Sequence, residues 1–353
     1  MLADNGSGAD FDPDIAAIFC EEATELLESA ELAMHAWNAE PGSAERVAAG
    51  ATDFNLAVPV PDSAAGAEEI YASVSAAFRK AVRDYAVPLV AKLRAEHAKV
   101  LGTPTLRPWD GGYHPALTLP TGIAPIDTQL DNAQKVFDNI SPRLAAHFTR
   151  MRKEGLIDLE NRKGKRAGAF CTSFPDEGRV AIFCNSTGDE DDVGTLMHEM
   201  GHAFQAWESQ VIEAVDLQWP TSDMAEVHSM GMEFLAMPQM TNFFSPEHAT
   251  KFRQNHFYHV VTLMCYICTV DEFQHWVYEN PNCTIAERDD AWDRINAAYN
   301  PGIDYSGLEE YQKTRWYVQA HIFQTPFYYI DYAIAQTCYH HFQSVAHQVE
   351  FYR

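Results

Sequence analysis

Residues 195–204 read Thr195-Leu-Met-His-Glu-Met-Gly-His-Ala-Phe204, and the chain is best read outward from this string. On a helix, His198 and His202 lie four residues apart and project from one face, so both imidazoles can reach a single metal ion, with Glu199 beside them. Neutral imidazole is the commonest zinc ligand, and a catalytic zinc takes three protein ligands plus water. Two histidines leave that set one ligand short. Alone, the pattern also describes an exposed pair of helix histidines, since the chain holds 15 His.

A second helix-compatible stretch, Ser222-Asp-Met-Ala-Glu-Val-His-Ser-Met-Gly-Met-Glu-Phe234, supplies the third candidate. Glu226 stands where the glutamate-ligand class of zinc peptidases places its third ligand, and a turn between two helices would bring it back to the histidines. One Zn²⁺ ion held by His198, His202 and Glu226 is therefore the expected cofactor. Zinc lowers the pKa of bound water from 15.7 to about 7. Glu199 would then act as general base and pass the proton to the leaving amine. Asp223 and Glu233 are candidates for carboxylates that orient a ligating imidazole; the alternative is that they are solvated helix carboxylates.

Composition narrows the remaining classes. The 353 residues are 46% hydrophobic, enough to bury a core and to exclude disorder of the whole chain. A formal charge of −25 argues against nucleic-acid and anionic-membrane partners, which need clustered Lys and Arg. No apolar run reaches the roughly 20 residues of a membrane span. Residues 1–10 carry no secretory-signal pattern, and the 7 Cys are odd in number and scattered. Reduced thiols and a cytoplasmic location are the expectation. Cys265-Tyr-Ile-Cys268 has a redox or metal spacing but lies within an apolar run, which favours core cysteines.

Residues 14–37 read as an amphipathic helix opened by Asp12-Pro13. The segment from Phe11 resembles the opening helix of a histidine phosphotransfer domain over about 35 residues, but no phosphoacceptor His follows on a next helix, so a surface or cap helix is expected. Residues 40–67, rich in Ala, Gly, Pro and Ser, read as a linker. The expected division is an unassigned head and linker at 1–67 and a catalytic domain at 68–353. Helix is expected over 68–101 and again over 125–155. Short strands are expected at Ala167–Thr172 and Arg179–Asn185, joined through Pro175-Asp-Glu-Gly178, and helix after Asp192. The acidic run Asp189–Asp192 would complement the N-terminus of the helix that follows; a calcium site is the alternative.

From about Tyr71 to Arg353 the chain resembles the catalytic region of the oligoendopeptidase F branch of the thimet-oligopeptidase-like zinc metallopeptidases. Besides the two histidine- and glutamate-bearing strings, the resemblance rests on Leu101-Gly102 with Trp109-Asp110, on the segment Ile157–Cys171, on Val270–Tyr278 and on His321–Tyr332. It implies a mainly α fold: a large helical zincin-type catalytic domain with a small β-sheet or hairpin beside the zinc-binding helix. It implies an endopeptidase acting on short peptides in a deep channel. It further implies that His321, Tyr329 and Tyr332 hydrogen-bond the substrate carbonyl, with the register open because Tyr328 adjoins Tyr329. An edge strand, Gly168–Thr172 or Val180–Asn185, would pair with the extended peptide, placing Gly168, Ala169, Phe170 and Tyr328 as substrate contacts; a purely structural hairpin is the alternative. A dipeptidyl carboxypeptidase of the angiotensin-converting type and a catalytically incomplete fragment are the competing functions. Members of the branch run longer, and the chain ends at Glu350-Phe-Tyr-Arg353 within a helical pattern, so an incomplete C-terminus and weak folding stability are expected.

Overall fold

The computed structural model describes residues 75–122 and 124–341. The expected head helix, the phosphotransfer-like segment and the linker lie outside the described residues. Helix runs from residue 75 through a π-helical turn, Val82–Ala86, into α1 (Val87–Leu101), which ends at Gly102 in the left-handed conformation. Asp271, fully buried, accepts hydrogen bonds from Ser75 and Arg79 and ties this first helical stretch down.

The helix expected over 125–155 is two helices, α2 (Ile126–Ile140) and α3 (Pro142–Glu154). Ser141 is extended (φ −160°, ψ 131°) because a residue before proline is driven out of the α region, and Pro142 then opens the next helix. Phe137 and Phe148 meet edge-on at 4.7 Å between them.

Three strands follow instead of the expected two: β1 (Ile157–Glu160), β2 (Phe170–Phe174) and β3 (Arg179–Ser186), in the order β1-β3-β2. β1 pairs parallel with β3, and β2 pairs antiparallel with it through the turn at 175–178. The central position of β3 rules it out as an edge strand, which leaves β2 of the two expected strands. Along β3, Val180, Ile182 and Cys184 are buried at alternate positions, so one face packs on the helices.

α4 (Asp191–Glu208) lies against β3 and β2, and α5 (Val227–Ala236) lies against α4. Then α6 (Pro246–Glu279), capped by Ser245, runs 34 residues, about 50 Å at the helical rise. Its early residues Ala249, Phe252 and Val260 join the core formed by α2, α3, the sheet and α4. Later ones, among them Met264, Ile267 and Phe273, join a second core with α1 and α7 (Ile285–Tyr299). Cys265 and Cys268 are fully buried there, as expected, and burial pushes the Cys265 thiol up to about 12. Short helices α8 (Glu309–Lys313) and α9 (Ala320–Gln324) lead to α10 (Asp331–His341). The architecture is thus mainly helical with one small sheet beside the helix that carries the two histidines. No helix among the described residues is long and apolar enough to cross a membrane.

Candidate active site

The site exists because α4 and α5 touch backbone to backbone. At Gly201 an added Cβ would sit 2.4 Å from the His228 carbonyl oxygen and 2.6 Å from Ser229 Cα. Glycine inside a helix costs about 1 kcal/mol relative to alanine, and here only glycine permits the approach. Glu226 is the N-cap residue of α5, just ahead of the helix rather than within it, and the close crossing sets it over the two imidazoles.

His198 Nε2 and His202 Nε2 are 3.2 Å apart, and Glu226 Oε2 lies 3.2 Å from the first and 3.4 Å from the second. Three ligands of a tetrahedral ion bonded at 2.0–2.1 Å are separated by about 3.3 Å, so this triangle fits such an ion. Among the described residues this is the one group of His, Cys, Asp and Glu side chains that converges in this way; the acidic run at 189–192 forms none.

Each donor is oriented from behind. His198 Nδ1 donates to Glu233 Oε1 at 2.7 Å, and His202 Nδ1 donates to His228 Nε2 at 3.0 Å, which turns both Nε2 atoms toward Glu226. Burial, with the neighbouring His202 charge, pushes His228 down to about 3, so it stays a neutral acceptor. Burial alone would raise the Glu226 carboxyl, but hydrogen bonds and charge from the two imidazoles outweigh it and hold it well below the usual range. Ser229 Oγ donates to Glu226 Oε2 at 2.7 Å, and the Tyr328 hydroxyl donates to Oε1.

Glu199 is 5% exposed, and its Oε2 has no hydrogen-bond partner among the described residues. Burial raises its carboxyl above the ordinary value against the pull of His198 and His202, which suits a proton acceptor. A cavity of about 330 Å³ opens over the triangle. Ala169, just ahead of β2, and Phe170 and Cys171 of its edge line it, together with His321, Tyr328 and Tyr332. Burial first, then Glu226, pushes both phenols upward, so they keep the protons they would donate. The same burial lowers His321, whose Nδ1 lies 2.7 Å from Gln319 Nε2.

Two expected substrate or carbonyl contacts stand elsewhere. Tyr329 packs edge-on against Tyr266 at 5.9 Å, on the second core, and Tyr328 takes the place beside Tyr332. A three-residue spacing shares a face only on a helix. α10 begins at Asp331, after a turn in which Phe327 has φ 66°, so Tyr329 precedes the helix; its ring meets that of Tyr332 edge-on at 5.3 Å but does not line the cavity. Gly168, at φ 98°, gives its carbonyl to Asn185 Nδ2 at 2.8 Å and does not line the cavity. The Asp223 side chain lies outside the described residues. The sequence reading missed Cys171, His228 and Trp219, whose ring stacks on His202 at 5.9 Å. His228 was visible two residues past Glu226; Trp219 sits in an irregular loop that offers no periodic signal.

No curated protein matches the chain. Solved structures do. PZ peptidase A with an inhibitor is 34% identical with a TM-score of 0.74, and the match covers 92% of this chain and 56% of that one. A protein described as an oligoendopeptidase F from Bacillus anthracis str. Ames is 34% identical with a TM-score of 0.66, covering 76% of this chain and 45% of that one. Another protein described as an oligoendopeptidase F is 29% identical with a TM-score of 0.72, covering 94% and 67%. The chain therefore spans about half the length of the first two. Residues 63–351 match the sequence profile of peptidase family M3. With the His-Glu-x-x-His helix, the glutamate opposite it and these likenesses together, the chain belongs to peptidase family M3, in its oligoendopeptidase F branch.

Proposed function

We propose that the protein is a zinc-dependent endopeptidase that hydrolyses short oligopeptides. The observation that carries this reading is the 3.2–3.4 Å triangle of His198, His202 and Glu226 donor atoms with the buried Glu199 carboxyl beside it, whose Oε2 has no partner among the described residues. Zinc in such a set lowers the pKa of water to about 7 and polarises a carbonyl.

The chain's own groups do the rest. Glu199 takes the proton of the attacking water and returns it to the leaving nitrogen, so that the C–N bond breaks to a carboxylate and an amine. The Tyr328 and Tyr332 hydroxyls and His321 stand on the cavity wall where they can donate to the carbonyl oxygen as negative charge grows on it. The exposed edge of β2 offers main-chain groups to an extended peptide, which explains affinity without a demand for particular side chains.

The test is zinc stoichiometry with quenched-peptide cleavage, for the parent and for Glu199→Gln. One zinc per chain is expected in both, with turnover in the variant reduced about 10²- to 10⁴-fold. Undiminished turnover would remove Glu199 from the role of base, and a parent without zinc would remove the metal reading. Product analysis separates the rival reaction, since stepwise release of C-terminal dipeptides would mark a dipeptidyl carboxypeptidase.

A further inference from the structure

A second cavity, of about 470 Å³, meets the first along Ala169, His198, Glu199 and Tyr332. The chemistry described above makes no use of it. Its far walls come from the first turn of α4, from α6 and from α10. We propose that this cavity is a specificity subsite that takes a basic side chain, arginine or lysine, of the bound peptide. The proposal rests on the peptidase reading and adds a preference to it.

The walls are rich in carboxyl groups, and burial raises those of Glu190 and Asp191. Glu190, Asp191 and Glu233 line the cavity in addition to Glu199, and no Lys or Arg among the described residues lines it. Glu190 is 7% exposed. Its Oε1 accepts from Leu119 N at 3.3 Å and Asn255 Nδ2 at 2.9 Å, but its Oε2 has no donor among the described residues. Gln336, 2% exposed, likewise leaves Oε1 without a donor. A buried acceptor left unsatisfied costs about 1–3 kcal/mol, so a group made only of donors is the complementary ligand. Guanidinium and ammonium are such groups, donating from every nitrogen and accepting nothing.

The apolar part of the wall fits the stem of those side chains. Met230, Phe252, Val260 and Leu263 would flank methylene groups while the head reaches the start of α4. His256 and His259 also line the cavity, and burial lowers both, so neutral imidazoles do not oppose a cation. A metal ion is the weaker occupant, because Glu190, Asp191 and their neighbours form no convergent ligand group among the described residues.

The experiment measures binding apart from turnover. Zinc-loaded Glu199→Gln protein is titrated with dye-labelled heptapeptides that differ only in carrying arginine or norleucine, scanned along the peptide. At one position arginine is expected to bind about tenfold more tightly. Adding Asp191→Asn or Glu190→Gln should bring that ratio toward one. Asp191→Asn decides the matter alone if Glu190→Gln fails to fold, since Glu190 also holds Leu119 and Asn255. Equal binding of the two peptides at every position overturns the subsite, as does an arginine preference untouched by Asp191→Asn. If the preference holds but the zinc-loaded parent cleaves none of the peptides, the subsite stands and the peptidase reading falls.

Discussion

Tyr328 and Tyr329 are adjacent and chemically identical, yet one faces the metal triangle and the other the core. Tyr328 donates to Glu226, while Tyr329 meets Tyr266 edge-on, so a hydroxyl deletion separates them. Tyr328→Phe is expected to lower kcat by about 10²-fold, the order seen when one oxyanion donor is removed. Tyr329→Phe should leave kcat within about threefold of the parent, because its ring remains to pack. Steady-state kinetics on one quenched peptide measures both, and equal losses would contradict the assignment. At this scale the sequence was legible wherever helical spacing held. His198, Glu199 and His202 fall as the four-residue spacing predicts, because they lie inside α4. It stopped being legible at 325–330, where the backbone is a turn and spacing no longer fixes direction.

Between elements the decisive contact is the α4–α5 crossing. Gly201→Ala would push a methyl group into the His228 carbonyl and Ser229 Cα, backbone atoms that cannot rotate away. The helices must separate, with an expected loss of about 1–3 kcal/mol. Because Glu226 rides on α5, zinc affinity should fall together with stability; urea unfolding and chelator competition measure the two, and unaltered affinity would contradict the coupling. The sheet shows why element reading was partial. β2 and β3 carried β-branched and aromatic residues around a turn and were readable. β1 is four residues long, lies between a helix and a basic loop, and becomes a strand only because β3 accepts it in parallel. Likewise the break at Ser141-Pro142 was written in the proline but was hidden by apolar periodicity on both sides of it.

Across the whole molecule, α6 is the member that belongs to both cores, so the metal site on one side and the His321–Tyr332 segment on the other are held in one frame. A buried histidine pair beside α6 gives this body a pH limit. His97 and His114, 1% and 8% exposed, have ring centroids 4.4 Å apart and pack on Tyr258. Burial lowers His97, and burial with the His97 charge brings His114 to about 4. The unfolded chain then binds these protons more readily than the folded one. The stability that depends on them is present above pH 6.5 and is lost as pH falls from 6.5 toward 4, by about 3 kcal/mol for His114. Urea unfolding across that range should show the decline, and His114→Gln should flatten it; an equal slope in the variant would contradict the source. The sequence by itself determined the chemistry on offer: two imidazoles and a carboxylate at helical spacing, a glutamate that could complete them, reduced cysteines in an apolar helix, and a mainly helical body. These are local properties, set by side-chain type and a period of 3.6 residues. Tertiary structure alone decided which tyrosine meets Glu226, which strand edge is open, that His228 backs His202, and that Glu190 and Gln336 face a shared cavity. Those depend on contacts between residues far apart in the chain, where packing rather than periodicity sets direction.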